Sequence, residues 1–551
     1  MTLTHTGCID EVTPTTVATP EQIAASSSAL QSMMNALPAF FMKYDTYGSS
    51  GNTNDWGYPC QMFMREVQGE DFPVYENSYN YWSYLENASS LRYMYYYSFY
   101  YYYKFIKNAN NVIKTVDPDD ATENALNILG VAYGFRAFCY LDLFRLYEYK
   151  LTGYPVLDDE AKSRDVVGLT VSIVTEQTTS DELKNNPRAP FYTMNRFVMS
   201  DLNKAEKYLK GYTRTMKSVI DLSVVYGLKA RLYLDMATRF DKDADALSKQ
   251  LAAENADDGY DALGIKSAAD CYQKAAEYAR LAISSGYQPL TEDQWTDPTT
   301  GFNTVQPSWM LSAMATSKEQ VNTSYYWNNF ITQIGSEATW TMGQYSQTYR
   351  CISKALYDQI SDKDWRKNSW VAPGDCGEGI TEIPSKYKTL LDIKTWNNMV
   401  PYANIKFRAG NGSITSIDEG LICSLPVMRV EEMYFTEMEA MAHTQGVAVA
   451  ASALQSFINT YRYTDGSYRC EAKDMTSFIN ELMLQRRIEF WGEGVNYFDY
   501  KRLGLAVTRA YDDTNYLKAF RLNSKDGYVA PWMNYVVPET EKDSNSAVVL
   551  N

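Results

Sequence analysis

The sequence predicts a mostly α-helical protein: divergent paired-helix repeats over its first half, then a loop-rich second half with a few short strands. Three observations carry this. Apolar residues recur every three or four positions over long windows before residue 290. Small residues recur inside those windows, as at Gly227 and Ala230 or Ala275, Ala276, Ala279 and Ala282. After Leu290 the helical period thins, and Gly, Thr, Asn and Trp take over, as in Trp295-Thr296-Asp297-Pro298-Thr299-Thr300-Gly301.

The elements follow in order. A helix fits Ser90 to Val116, with apolar or aromatic side chains at nearly every helical spacing. Asp119, Asp120 and Glu123 then mark the N-terminal cap of a helix running to about Tyr149. Its stripe is Ala132, Phe135, Cys139, Leu143 and Leu146. Further helices fit Tyr192 to Leu209, Ser223 to Arg239 and Ser267 to Ser285, the last stopped by Gly286. Paired helices with small and aromatic contacts resemble tetratricopeptide repeats, although Asp241 to Lys266 interrupts one pair and makes the array irregular. Between Thr291 and Leu425 a strand fits Trp309 to Ala313. Helices return at Arg429 to His443, Val447 to Tyr463 and Met475 to Phe490. The chain divides into a tether (1–21), a repeat-bearing half (22–290) and a loop-rich half of the same domain (291–551).

Composition excludes several functions. The chain has 551 residues and a net charge of -16, which disfavours a nucleic-acid partner. It has only two histidines, His5 and His443, which removes most Ser-His, Cys-His and His-metal sites. Of eight cysteines, seven follow Cys8 without a CxxC or Cys/His cluster, so no metal site is expected. No glycine-rich nucleotide cradle occurs, and no cofactor is expected. No window approaches the roughly 18 to 20 apolar residues of a membrane span. Small residues before Cys8, then a polar stretch to about Thr19, resemble a bacterial lipoprotein cleavage site and its tether. Tyrosine is abundant, 46 against 21 Phe, and its apolar face and polar tip suit both helix packing and binding surfaces.

Two runs carry a family resemblance. One is Gly134-Phe135-Arg136-Ala137-Phe138-Cys139-Tyr140-Leu141-Asp142-Leu143-Phe144-Arg145-Leu146-Tyr147. The other is Gln485-Arg486-Arg487-Ile488-Glu489-Phe490-Trp491-Gly492-Glu493-Gly494, followed by Asp499-Tyr500-Lys501-Arg502. Asn110 to Ile113, Ser200 to Ala205, Tyr272 to Tyr287, Asp362 to Lys367, Pro426 to Ala440 and Val537 to Glu541 follow in order. Together they resemble the SusD/RagB family of outer-membrane nutrient-binding lipoproteins. The resemblance implies a cell-surface protein, held by lipid on Cys8, that binds glycans and passes them to a SusC-like TonB-dependent transporter. It implies no catalysis.

Arg486, Arg487, Glu489, Glu493 and Asp499 read as ion pairs that lock the C-terminal half. Glu431 and Glu432 invite a glycosidase reading, but neighbouring helix positions point about 100° apart and flank one bond poorly. A glycan site needs aromatic faces and planar polar groups on loops. Two segments fit: Tyr75 to Trp82, with Asn77, Tyr79, Asn80 and Tyr81, and Tyr325 to Asn329, with Tyr326, Trp327 and Asn328. Trp295 and Trp340 join them as candidates, while Trp309 and Trp491 read as core. The alternatives are a repeat scaffold that binds only protein, or a glycoside hydrolase.

Overall fold

A computed structural model of the chain describes residues 26–43, 56–76, 91–321 and 329–551. The principal helices of the first half are α1 (Ser27–Ala39), α2 (Tyr58–Glu66), α3 (Leu91–Thr115), α4 (Glu123–Tyr147), α5 (Phe191–Tyr208), α6 (Leu222–Lys242), α7 (Ala244–Ala253) and α8 (Ala268–Ile283). Those of the second half are α9 (Val430–Gln445), α10 (Val447–Tyr461), α11 (Met475–Glu489) and α12 (Asn496–Leu503). Helix is the dominant structure, and the described residues form just two small sheets. One pairs β1 (Leu169–Ser172) with β2 (Arg188–Pro190), the other β3 (Trp309–Met314) with β4 (Ser424–Arg429), both antiparallel.

Local chemistry sets the boundaries. Thr122 caps α4, its hydroxyl accepting from the Ala125 N–H at 3.3 Å, so Glu123 is the first helical residue and not the cap. The helix stops at Tyr147, two residues short of the expected end, because Glu148 turns to extended backbone. From Ile128 to Tyr147 it is buried on every face, which makes it the axis of the first half. Asp221, Asp243 and Ser267 cap α6, α7 and α8 through side-chain oxygens. The stretch expected to interrupt the repeats thus contains α7, a short helix that packs against α5 and α6. At the end of α8, Gly286 takes a φ of +93° and turns the chain.

Small residues set how closely the helices approach. A Cβ on Gly130 would lie 2.9 Å from Leu209, and one on Gly134 2.8 Å from Ile220, so α4 sits tightly on the end of α5 and the approach to α6. In α8, Ala275, Ala276, Ala279 and Ala282 are buried where it packs between α6 and α9. These helix pairs are the divergent tetratricopeptide-like repeats the sequence predicts. β4 begins before the expected helix and reaches Arg429, bringing Trp309 and Arg429 into register across the sheet. Pro426, opposite Ser312, is tolerated because a two-stranded sheet has only edge strands. The main core runs through both halves, from Leu30 to Val548, with Trp309 and Trp491 fully buried in it as expected.

Candidate functional site

The described ends of the aromatic segments converge on one region. Trp56 packs against Phe330 with ring centroids 6.3 Å apart, and Phe63 of α2 lies 6.4 Å from Phe330 and 5.4 Å from Phe72. Trp56, α2, Phe72 and Phe330 thus form one aromatic cluster. Tyr75 is anchored there by its N–H, which donates to the Tyr349 carbonyl at 2.9 Å, while its side chain stays 43 % exposed. Asn329 caps the short helix Phe330–Ile334, its side chain accepting from the Ile331 N–H.

Of the residues expected to bind glycan, Tyr81, Trp82, Tyr326, Trp327 and Asn328 lie outside the described residues, as does Cys8. Trp295 and Trp340 are corrected by their burial. Trp295 is 1 % exposed; its indole N–H donates to Ser369 at 2.8 Å, and its ring packs edge-on against Phe302 and Trp365. Lys406 sits 4.7 Å from the Trp295 ring centroid. No sugar can stack on a face already covered in this way. Trp340 is buried against Gly420, where a Cβ would fall 2.2 Å from the ring. The polar loop sequence around Trp295 conceals that the indole points inward.

The C-terminal motif is a buried ionic network. Glu489 accepts from Arg366 at 2.8 Å, Arg429 at 3.0 Å and Arg462 at 2.8 Å, with all these side chains at most 1 % exposed. Burial alone would raise the Glu489 carboxyl, but Arg462, Arg429 and Arg366 hold it well below the usual range. Glu493 bridges Arg429 and Lys406, at 2.8 and 2.6 Å. Burial pushes the Lys406 ammonium down to about 8 despite the pull of Glu493. Arg486 pairs with Asp499, and Arg502 with both Asp499 and Glu439. Arg487 grips Asp71 with two bonds of 2.7 Å and reaches Glu70 at 2.8 Å.

The same network absorbs the carboxylates that invited a hydrolase reading. Glu432 is clamped by Arg231, and Glu431 faces Arg429 and Arg462. Each is buried and bound by arginine, whereas glycoside hydrolysis needs a pair of carboxyl groups that reach a bound sugar. Among the described residues, no group of His, Cys, Asp and Glu could hold a metal, and no helix is long and apolar enough to cross a membrane.

Comparison with known proteins places this architecture. The SusD family model matches residues 292–545. Over 95 % of this chain and 97 % of the other, the fold is similar to that of a SusD-like carbohydrate binding protein from Bacteroides vulgatus, at a TM-score of 0.66 and 19 % identity. A SusD superfamily protein from Bacteroides thetaiotaomicron is similar over 95 % of this chain and 99 % of its own, with a TM-score of 0.61 and 17 % identity. One from Parabacteroides distasonis is similar over 96 % and 98 %, with a TM-score of 0.62 and 15 % identity. No curated protein matches the chain in sequence. The chain thus has the SusD-like fold, and residues 292–545 match the SusD family model, in line with the resemblance read from the motifs.

Proposed function

We propose that this protein captures glycans at the cell surface and delivers them to a SusC-like TonB-dependent transporter, held to the outer membrane by lipid on Cys8. The observation that carries the binding part is the convergence of the aromatic segments: Trp56, Tyr75 and Asn329 bring their ends to one region of a fold shared with a carbohydrate binding protein. Tyr75, Tyr81, Trp82, Tyr326, Trp327 and Asn328 form the binding surface in this reading. In this reading sugar rings stack on Trp82 and Trp327, while Asn328 exchanges hydrogen bonds with hydroxyls. The protein binds and does not cleave. Support for this comes from Glu431 and Glu432, which are buried and paired with arginines and so are placed away from any bound sugar.

The test is an affinity gel or glycan-array screen followed by calorimetry on the cognate glycan. Trp82→Ala and Trp327→Ala each weaken binding about tenfold or more, since truncating an aromatic anchor typically costs at least about 2 kcal/mol. Circular dichroism of both variants stays unchanged. Unaltered affinity in both would remove this surface from consideration, and release of reducing sugar from a polysaccharide panel would favour a hydrolase.

A further inference from the structure

A second cleft lies far along the chain from the aromatic segments. It has a volume of about 310 Å³, at the lower edge of the range of about 300–1,000 Å³ for small-molecule sites. Its walls come from residues 148–151 after α4, Val167 and Gly168, the start of α5, the end of α6 with α7, the end of α12, and residues 527–529. Backbone bonds fix this frame. The Gly168 N–H donates to Tyr149 at 3.0 Å, and the Val529 N–H donates to Leu151 at 3.1 Å. Asn534 clamps the main chain of Lys150 on both sides, at 3.1 and 2.7 Å.

Six basic side chains and three carboxylates line the cleft, an excess of positive charge on a protein of net charge -16. Most of the cations are already engaged. Arg502 is held by Glu439 and Asp499, Arg239 by Glu148, and Lys249 by Asp245. Lys501 and Lys242 donate to backbone carbonyls. Lys150 differs: its ammonium makes no hydrogen bond among the described residues, and its nearest carboxylate oxygen, on Glu148, is 3.9 Å away. Burial, only partly offset by Asp235 and Glu148, lowers the Lys150 ammonium from its ordinary value.

Two further features specify an occupant. Glu148 is fully buried, and while one of its oxygens accepts from Arg239, Oε1 has no hydrogen-bond partner among the described residues. Such an orphan acceptor calls for a donor such as a hydroxyl. Tyr528 rests against the backbone of Gly153, where a Cβ would fall 2.7 Å from the ring, and stays 42 % exposed at the rim. A half-exposed ring beside a polar cleft offers an apolar face to a flat, hydroxylated ring. Glu148, Asp243 and Asp245 would repel a multiply charged group such as phosphate, whereas one carboxylate matches one ammonium held only by a long contact to Glu148.

We propose that this cleft binds a hexuronate, with Lys150 pairing its carboxylate, Glu148 accepting a hydroxyl and Tyr528 covering one ring face. The proposal does not rest on the aromatic-loop reading and fails or stands separately from it. The hexuronate is either the free sugar or the end residue of an acidic oligosaccharide.

Calorimetry of the full chain with glucuronate, galacturonate, digalacturonate and, as neutral controls, glucose and galactose tests it. The acidic sugars bind and the neutral ones bind at least tenfold more weakly. Tighter binding of digalacturonate than galacturonate identifies a chain end as the ligand; the reverse identifies the free sugar. Lys150→Met and Tyr528→Ala each lower hexuronate affinity about tenfold or more, whereas Trp82→Ala and Trp327→Ala leave it unchanged. Should Lys150→Met fail to fold, the exposed Tyr528→Ala variant decides alone. Equal binding of glucose and glucuronate, no hexuronate binding, or hexuronate affinity unaltered by Tyr528→Ala would overturn the proposal.

Discussion

The network around Glu489 and the cleft at Lys150 treat buried charge in opposite ways. At Glu489 three guanidinium groups converge on one carboxylate, and every member is sealed from water. At Lys150 the ammonium lies 3.9 Å from the Glu148 oxygen that already serves Arg239, and the other Glu148 oxygen has no partner among the described residues. The difference separates structure from candidate function. Charges that are completed within the protein hold it in one arrangement, and taking one away leaves its partners stranded. Charges left incomplete beside a cavity are open to completion by a ligand.

The comparison is broken most severely by Glu489→Ala. Three buried arginines lose their shared partner, and removing one member of a buried pair typically costs about 3–5 kcal/mol. The loss here is at the top of that range, about 5 kcal/mol, comparable with the whole stability of some domains. Denaturant unfolding measures it. A loss below about 1 kcal/mol would show that the network contributes little.

Arg487→Ala follows, with an expected loss of about 3 kcal/mol. It is smaller because Arg487 is partly exposed, so water can reach the abandoned Asp71. Glycan affinity should not change. Lost affinity with an unchanged melting temperature would convert this motif from structure to site.

A pH series sharpens the contrast further. Glu489 is held well below its ordinary 4.5, so its contribution is complete above pH 4.5 and is lost as pH falls through the native value. Asp499, drawn down by Arg486 and Arg502 against the effect of burial, acts in the same direction. The melting temperature is therefore insensitive to these two groups above pH 4.5 and falls steeply below it. A melting curve that stays level into stronger acid would contradict the depressed carboxyls. The smallest effect belongs to the cleft: Tyr528→Ala should change stability by no more than about 0.5 kcal/mol, as for other surface substitutions.

Much of the helical framework was legible because it depends on local period and caps. The helices after Glu123, Tyr192, Ser223 and Ser267 begin within a residue or so of their expected positions. Their stripes, capping side chains and Gly286 all lie within a turn of the boundary they set. α7 was missed because it is short and its alanines give little period. Trp295 was misread for a different reason: its covering groups, Trp365, Ser369 and Lys406, come from 70 or more residues later. The partners of Arg487 were equally hidden, since Asp71 precedes it by 416 residues. The cleft at Lys150 joins six separated stretches, none with a motif of its own. Of the candidate site, the aromatic richness was legible; which rings face inward depends on contacts that only the fold creates.

One consequence concerns how the chain can be divided. The family region begins at residue 292, but the short stretch from Glu66 to Asp71 is inserted among its parts. Glu66 accepts the Gly494 N–H, Asp71 takes both Arg487 and the Trp491 indole N–H, and the Val67 and Gly69 carbonyls receive Arg509. A fragment cut at 292 would strand each of those donors at once and strip α9 of α6 and α8, so it should be insoluble or unfolded. The match to the family model begins at that boundary, but the folding unit extends across it, since one core runs through both halves.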